Sequence, residues 1–514
     1  MKRRIRIGYV GYHRNWEQLL EQIGVDWIRL EPGKPVSVQD YSCVITDREL
    51  NRTEFSNLDT YLNNGGALLD TTGQVCGGTI QGRSLSIIKP GSINSLFAHI
   101  AEIPVYGEAI LHSSAGLLEG TVWLDSSPGK NCAFCGLPVS RLWHEYNTTH
   151  RAFGYSAGAR TAERTSSLQS NPYFEVILTL LKVLHDRSGI PFVHKWWQPD
   201  TNKDTATLRV DSDYSDLSEI RSVSEAATES GLPLTWFFHT EHHEPYLSNI
   251  IQTLPAHDEI ALHCYSHQEY STEEQYRSDI KRGIRTLNQS GVNPSGYAAP
   301  YGHWSEPLAA SLRDLPFSYT SEFSYDFDSL PSVPASSGIL QLPVHPVSIG
   351  SFRRFKADSS DIQDYFRKTV RLMRLKHQPL HLYHHPLDGT PDQWENLLSL
   401  LKTKNHRWIT YSQWYNWWKR RSEIFIASFF DVKTGCLEIS GTGEPAIPVA
   451  IQKDGKIHIS DSKDPAVYLD ELTFRPYIAS ELKQLIHEQQ TAPGFSWFER
   501  TKDQILTRLW RNRT

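Results

Sequence analysis

The sequence has few cysteines, no long apolar run and no excess of basic residues, and each of these absences excludes a class of protein. Six cysteines in 514 residues indicate no disulfide framework. No stretch approaches roughly 20 uninterrupted apolar residues, so we expect no transmembrane segment. A net charge of −6 gives no electrostatic basis for binding nucleic acid, and we expect no nucleic-acid partner.

Cys132 and Cys135 form a lone CxxC motif. A zinc ribbon needs a second such pair, which the sequence lacks, so we expect these residues to be incidental thiols. The N-terminus begins with basic residues, but residues 8–15 are polar, which is not the pattern of a signal peptide. We therefore expect a cytoplasmic protein.

Aromatic residues are abundant, with 15 Trp, 23 Tyr and 20 Phe. A ring face matches the C–H face of a pyranose, but the same residues also fill cores and interfaces. The composition is therefore compatible with a carbohydrate ligand and does not establish one.

Residues 1–195 alternate between strand and helix patterns. Residues 5–10 and 67–69 are predicted strands, and residues 16–23 and 55–62 are predicted helices. This rhythm predicts a parallel sheet covered by helices.

Residues 61–69 resemble the helix-to-strand turn of class I glutamine-amidotransferase-like domains. Those enzymes carry a nucleophilic cysteine in a G-x-C-x-G elbow. The nearest cysteine here, Cys76, lies in Gly73-Gln-Val-Cys76-Gly77, which does not fit that motif. The resemblance therefore implies a flavodoxin-like, three-layer α/β domain over residues 1–195 that lacks the nucleophile.

The alternation returns over residues 200–422 after a boundary near residues 190–205. The predicted strands are residues 207–210, 234–238, 260–262, 296–299, 318–321, 339–342 and 380–383. The predicted helices are residues 216–230, 272–290, 306–313, 360–375 and 393–402. This order predicts a strand–helix barrel, whose active site lies where strands end and loops begin.

Residues 423–514 are predicted to form a small β-rich domain with a terminal helix. Lys453-Asp-Gly-Lys456 is typical of a hairpin turn. The terminal helix, residues 497–510, carries apolar residues together with Arg508, Arg511 and Arg513. Such a helix either packs on its own chain or makes a peripheral contact with an anionic membrane surface.

Short polar motifs follow several barrel strands. Asp211 and Asp213 lie two residues apart at a strand end, which places both carboxylates on one side. His263 and His267 follow another strand, four residues apart, a spacing that fits a helical turn. His239 and His243 repeat the spacing, and we interpret them as loop residues near the barrel mouth.

Together these residue types predict a hydrolytic metal site. One carboxylate and two imidazoles leave open positions on a divalent ion, of which zinc is the expected one, for water and a substrate oxygen. The second carboxylate can take a proton from water, and a separate histidine can protonate a leaving amine.

The order of the motifs resembles the polysaccharide deacetylase family, the NodB-homology fold of carbohydrate esterase family 4. The resemblance covers residues 200–420 and implies a distorted (β/α)7 barrel that removes acetyl groups from sugars. It implies that Asp211 is the catalytic base and that the metal ligands are Asp213, His263 and His267.

The later motifs of the family are less complete. Its R-x-P-[YF] motif corresponds to Ala298-Ala299-Pro300-Tyr301, where Ala298 replaces the arginine that orients the base. The side-chain direction of Arg209 near a strand end is not fixed by alternation, so we assign it no replacement role. Pro300 and Tyr301 are expected near the substrate.

The fourth and fifth family motifs leave alternatives open. Asp326 and Asp328 are the candidates for the fourth. For the fifth, His384 and His385 both match, and alternation lets only one face the mouth. We prefer His385 as the catalytic acid and expect His384 to contact substrate.

The sequence therefore predicts a metal-dependent hydrolase of carbon–nitrogen bonds that removes an N-acetyl or other acyl group from a sugar in surface or exopolysaccharide biosynthesis. A cytoplasmic location implies a nucleotide-linked or lipid-linked sugar as substrate. One alternative is an amidohydrolase for a non-sugar, cyclic amide. Another is a binding protein with a weakened barrel, which Ala298 favours.

Overall fold

The computed structural model describes residues 2–486 except a set of short segments. The excepted residues are 77–79, 85–86, 89–94, 101–102, 106–107, 113–119, 126, 128, 144–147, 157–158, 354–356, 443–445, 462–465, 479–480 and 483. The terminal helix predicted at residues 497–510 lies outside the described residues.

The strands before residue 200 are β1 (Lys2–Arg4), β2 (Ile7–Val10), β3 (Trp27–Arg29), β4 (Cys43–Thr46), β5 (Ala67–Asp70), β6 (Ile80–Ser84), β7 (Ile87–Ile88), β8 (Ile103–Pro104), β9 (Glu108–His112), β10 (Val122–Leu124), β11 (Asn131–Cys135), β12 (Thr148–Ser156), β13 (Ala159–Ser166) and β14 (Phe192–Lys195). The later strands are β15 (Asp204–Asp211), β16 (Thr235–His239), β17 (Glu259–Cys264), β18 (Gly296–Tyr297), β19 (Tyr319–Thr320), β20 (Leu340–Gln341), β21 (Leu380–His384), β22 (His406–Trp408), β23 (Ile426–Asp431), β24 (Cys436–Gly441), β25 (Pro448–Lys453), β26 (Lys456–Asp461), β27 (Ala466–Tyr468) and β28 (Arg475–Pro476).

The helices are α1 (Arg14–Ile23), α2 (Arg52–Asn63), α3 (Ser170–Arg187), α4 (Leu217–Ser230), α5 (Thr240–His243), α6 (Leu247–Thr253), α7 (Glu273–Gln289), α8 (Glu306–Leu312), α9 (Ile349–Arg353), α10 (Ser359–Leu375), α11 (Pro391–Leu401) and α12 (Tyr411–Glu423). Among these described helices, none is both long enough and apolar enough to cross a bilayer.

Residue contacts divide the chain into two compact units. The first contains Met1–His144, Leu168–Thr201 and Lys419–Lys483, and the second contains Glu145–Ser167, Asn202–Trp418 and, among the described residues, 484–486. This differs from the predicted division into residues 1–195, 200–422 and 423–514. The predicted C-terminal β domain lies within the first unit because its strands pair with β1 and β14.

The first unit contains a six-stranded sheet in the order β3–β2–β4–β5–β11–β10, parallel except for β10. In chain order, β2, β3, β4, β5 and β11 are arranged 2-1-3-4-5, an order found in doubly wound sheets such as flavodoxin. Val44, Ile45, Leu68 and Leu69 are fully buried, as expected for parallel strands covered on both faces.

The C-terminal strands of the first unit form two antiparallel sheets, β1–β23–β24–β27 and β14–β25–β26–β28. The predicted hairpin turn between Lys453 and Lys456 is confirmed. Asp454 and Gly455 both have positive φ, at 51° and 70°, as the tight two-residue turns of hairpins require.

Cys132 forms a disulfide with Cys76, so the prediction that it is an incidental thiol is wrong. Cys132 lies on β11, which pairs with β5, and Cys76 follows β5 in the chain. The sheet therefore brings together two sulfurs separated by 56 residues, a proximity that the local CxxC spacing does not indicate. Cys135 remains a buried free thiol.

The second unit is built on a parallel sheet in the order β20–β19–β18–β17–β16–β15–β21, and β22 also pairs with β15. All seven strands predicted between residues 207 and 383 are present, and β22 is an additional one. The sheet curls, since the chain after β20 reaches β21 through a 2.8 Å hydrogen bond from His345 N to His381 O. The unit is thus a mixed α/β fold with a curled parallel sheet, consistent with the predicted barrel.

The hairpin of β12 and β13 packs on this barrel and was not predicted. Phe153 contacts the rings of Phe327 and His345. The Thr161 hydroxyl donates to the Ser351 carbonyl at 2.7 Å. A segment that precedes the barrel by about 40 residues in the printed sequence therefore contributes to the barrel's packing.

Candidate metal centre

Asp211 ends β15 and is held by Arg209 on the same strand. Nε and Nη2 of Arg209 donate to the two carboxylate oxygens of Asp211 at 2.6 and 2.5 Å. Residues two apart on a strand share a face, so this pair forms without any turn of the backbone. Both side chains are buried, and the guanidinium lies over the rings of Phe237 and Tyr383.

Asp213 follows in a turn that redirects the chain after β15. Ser215 N donates to Ser212 O at 2.8 Å, and Asp213 has a φ of 37°. A positive φ is uncommon for a residue with a side chain. Because of this turn, the direction of the Asp213 carboxylate does not follow from strand alternation.

His263 and His267 reach the same point from β17 and from the loop after it. His263 Nδ1 donates to the Ala298 carbonyl at 2.7 Å, so Nε2 is the ring nitrogen that faces Asp213. His267 lies in a loop rather than in the predicted helical turn. That loop is fixed by Asp279 of α7, which accepts hydrogen bonds from the backbone N–H groups of Tyr265 and Ser266.

The three side chains converge on one another. Oδ1 of Asp213 lies 3.2 Å from His263 Nε2 and 3.3 Å from His267 Nε2. One ligand atom from each residue lies within 4.8 Å of the other two. Burial raises the pKa of Asp213, but His267 and His385 outweigh this effect and hold the pKa well below its usual value. The carboxylate is therefore ionised and available as a ligand.

These donors fit a divalent ion such as zinc. One carboxylate and two imidazoles, all buried, are ligand types that zinc accepts, and three protein ligands leave a position open. Oδ1 of Asp213 is buried without a hydrogen-bond donor in the described structure, which is the state expected of an atom that binds a cation.

His385 lies beside this group. Its Nε2 is 3.4 Å from Asp213 Oδ2, and its Nδ1 is 2.8 Å from Asp388 Oδ2. Burial lowers the pKa of His385, but Asp388 and then Asp213 raise it to about 10. For Asp388, burial raises the pKa, and His385 lowers it to about 2. The two residues therefore form a charged pair, and Asp388 was not identified from the sequence.

Within the described part of the chain, His384 does not contact this site, which contradicts the expected substrate contact. Its side chain is fully buried, its Nδ1 accepts a hydrogen bond from Ile349 N at 3.0 Å, and its ring packs on Phe366 and Trp394. Adjacent residues on a strand face opposite sides, so only His385 points toward Asp213.

Pro300 and Tyr301 lie in a short 3-10 turn after β18. Pro300 is buried, whereas Tyr301 is partly exposed and its ring centre lies 4.7 Å from that of His267. Gly302 allows this turn, since it has a φ of 56° and a Cβ there would lie 2.3 Å from the Phe323 ring. Tyr301 is thus placed beside a proposed metal ligand.

Ala298 is fully buried in the position where the family motif has arginine. The structure supplies a guanidinium to Asp211 from Arg209 instead. Nη1 of Arg209 also donates to the Ser321 carbonyl at 2.5 Å. The adjacent Glu322 accepts from Ala299 N at 3.1 Å, and burial raises its pKa to about 8 despite the nearby Arg209.

Three further residues considered from the sequence are His239, which lies next to Asp213, and the pair Asp326 and Asp328. His239 Nδ1 lies 3.0 Å from the Asp213 carbonyl, and burial, followed by the charges of His267 and His263, lowers the pKa of His239 to about 3. Asp326 accepts a hydrogen bond from Asp328 N at 3.3 Å. Within the described contacts, neither Asp326 nor Asp328 reaches Asp213, His263 or His267.

The comparisons with known proteins concern the same stretch. A family model described as polysaccharide deacetylase matches residues 198–320, which include Arg209, Asp211, Asp213, His263 and His267. The match covers less than a quarter of the chain. No curated protein sequence matches the chain.

Three solved structures illustrate the level of similarity. A protein from Mycobacterium smegmatis assigned as a polysaccharide deacetylase shares 18% identity, with 44% of this chain and 93% of that chain covered and a TM-score of 0.39. Peptidoglycan deacetylase PdaC from Bacillus subtilis shares 15%, with 43% and 95% covered and a TM-score of 0.32. A pseudoenzyme of the CE4 family from Bacillus anthracis shares 14%, with 42% and 66% covered and a TM-score of 0.32. At these values we draw no conclusion about activity from the structures.

Proposed function

We propose that the second unit is a metal-dependent hydrolase that removes an acetyl group from the nitrogen of a carbohydrate. The observation that carries this proposal is the convergence of Asp213, His263 and His267 within 4.8 Å beside His385. The match of residues 198–320 to the polysaccharide deacetylase family supports a deacetylase-like reaction and a carbohydrate substrate.

Asp213, His263 and His267 would hold the ion. When bound, a divalent ion at this position supplies Lewis-acid polarisation of a carbonyl oxygen. Asp211 acts as the general base that takes a proton from the attacking water, a role that needs an ionised and oriented carboxylate. Arg209 donates to both carboxylate oxygens of Asp211 and thereby fixes the direction of the carboxylate.

His385 acts as the general acid that protonates the leaving amine. Its Nδ1 is held by Asp388, so its Nε2 is the atom that faces Asp213 and the substrate. Asp388 favours the protonated ring, which is the form that can donate. Tyr301 lies beside His267 at the edge of the site and is the residue we assign to substrate contact.

The alternative of a weakened barrel rested on Ala298. Since Arg209 places a guanidinium on Asp211, the loss at Ala298 no longer argues against catalysis. The cyclic-amide alternative depends on the same residues, and a ring-opening assay with a cyclic imide separates it from deacetylation.

The expected role in surface or exopolysaccharide synthesis, on a nucleotide-linked or lipid-linked sugar, remains part of the proposal. Disulfides persist mainly in oxidising compartments, so the bond between Cys76 and Cys132 weighs against the expected cytoplasmic location. Thiol titration of the denatured, non-reduced protein from its native source tests this point. Four free thiols support an oxidising compartment, and six support the cytoplasm.

Metal analysis tests the proposed centre. We expect the full chain to bind one zinc ion, and we expect Asp213→Ala to lose that binding and the thermal stabilisation by zinc. Asp364→Ala is a matched control, because this α10 carboxylate has a side chain 42% exposed and pairs with Lys368 at the surface. Equal zinc binding by the wild type and Asp213→Ala would refute the assignment.

A further inference from the structure

His239 repeats, with His243, the spacing of the two ligand histidines, yet it has no role in the reaction proposed above. It ends β16, the strand that pairs in parallel with β15 through Asp211 and Phe237. The carboxyl ends of these strands meet at one edge of the sheet. His239 is therefore a neighbour of the turn that carries Asp213.

Backbone and side chain of His239 both bind that turn. His239 N donates to Ser212 Oγ at 2.9 Å, and His239 Nδ1 donates to the Asp213 carbonyl at 3.0 Å. Ser212 N in turn donates to Phe237 O at 2.9 Å. The end of β16 thus holds two consecutive residues of the turn through three hydrogen bonds.

The Asp213 backbone needs such support. Its φ of 37° is uncommon for a residue with a side chain and persists only where surrounding contacts favour it. The same residue provides the carboxylate that lies between His263 and His267. A change in this backbone angle would rotate the carboxylate away from the two imidazoles.

The ring of His239 is fixed and has one polar contact. It is 2% exposed and packs against the rings of Tyr214 and His267. Among the described residues, its Nε2 has no hydrogen-bond partner, so the bond from Nδ1 to Asp213 is the ring's single hydrogen bond. Its nitrogen atoms are not part of the ligand group formed by Asp213, His263 and His267.

We propose that His239 is a positioning residue that holds the strained Asp213 backbone and thereby aims the Asp213 carboxylate at the metal. This inference rests on the proposed metal centre and extends it. Mutation of a residue that orients a metal ligand typically lowers the metal affinity by roughly 10- to 100-fold. His239 acts through Asp213 and touches neither substrate nor the ion.

Two amide substitutions separate the hydrogen bond from the rest of the side chain. Asparagine places an amide N–H near the position of Nδ1, whereas glutamine places it near that of Nε2. We expect zinc affinity, measured on the full chain by competition with a chromophoric chelator, to fall about 10- to 100-fold in His239→Gln. In His239→Asn it should stay within about threefold of the wild type, since the donor to Asp213 is retained.

His381→Gln is the matched control. His381 is also buried in the barrel, its Nδ1 lies 2.8 Å from Thr207 Oγ1, and its Nε2 has no partner in the described structure. We expect this variant to lose thermal stability while keeping its zinc affinity. An equal loss of affinity in His381→Gln would show a general effect of removing a buried histidine and would overturn the proposal.

The outcomes distinguish this inference from the proposed function. Equal zinc affinities in His239→Asn and His239→Gln would overturn the positioning role alone, as would failure of both variants to fold. A wild-type chain that binds no zinc would overturn the metal centre and the positioning role together.

Discussion

Arg209 and Asp211 lie two residues apart on one strand and are joined by two hydrogen bonds of 2.6 and 2.5 Å between buried side chains. The guanidinium thus reaches the proposed base from the base's own strand. This arrangement explains how the Asp211 carboxylate is oriented although Ala298 stands where the family motif has arginine.

Arg209→Lys tests this relationship. Lysine keeps the charge but cannot donate to both oxygens of Asp211 from a planar group, so we expect kcat to fall about 100-fold. Zinc affinity should remain unchanged, because Arg209 contacts none of the three ligands in the described structure. The measurement is acetate release, with zinc affinity determined on the same samples.

Arg164→Lys is the control for that experiment. Arg164 belongs to the same unit, is partly exposed and pairs with Glu269 at 2.6 Å. Arg164→Lys is therefore the same substitution at an arginine that does not pair with Asp211. Unchanged kcat in Arg209→Lys would contradict the orienting role.

Asp388→Asn is predicted to change the pH dependence. Asp388 raises the pKa of His385, and only the protonated ring can act as the acid. Removing the carboxylate charge lowers that pKa, so the alkaline limb of kcat/KM should move to lower pH. A pH profile of kcat/KM measures the shift, and a profile that coincides with the wild type would exclude His385 as the acid.

Ala298→Arg is predicted not to restore a missing function. Ala298 is fully buried, and both oxygens of Asp211 are already bound by Arg209. Overpacking a core position typically costs about 1–3 kcal/mol, so we expect lower thermal stability and no gain in kcat. An increase in kcat would show that Arg209 does not replace the family arginine.

The barrel strands could be predicted from sequence because each is a short apolar run that ends in a polar motif or a turn. β12 and β13 could not, since Phe153 and Thr161 find their partners near Phe327 and Ser351, almost 200 residues later. The assignment of the C-terminal strands to the first unit could not be predicted for the same reason, because these strands pair with strands that are distant in sequence.

The three residues that converge in the candidate site could be predicted because a carboxylate and two histidines follow buried strands. The contacts that orient these side chains could not be predicted. The direction of Asp213 depends on a φ of 37°, and the loop that returns His267 depends on Asp279, a residue on a helix that follows. Asp388 lies three residues after His385, and the spacing alone does not show that the two side chains meet.

Acetate release is the most direct test of the central claim that this barrel is a metal-dependent deacetylase. The full chain is stripped of metal, reloaded with zinc and incubated with N-acetylated oligosaccharides, alongside Asp211→Asn. We predict acetate release that requires zinc and falls by about 10²- to 10⁴-fold in Asp211→Asn. Release of equal rate in the variant, or ring-opening of a cyclic imide with no acetate from any oligosaccharide, would contradict the proposal.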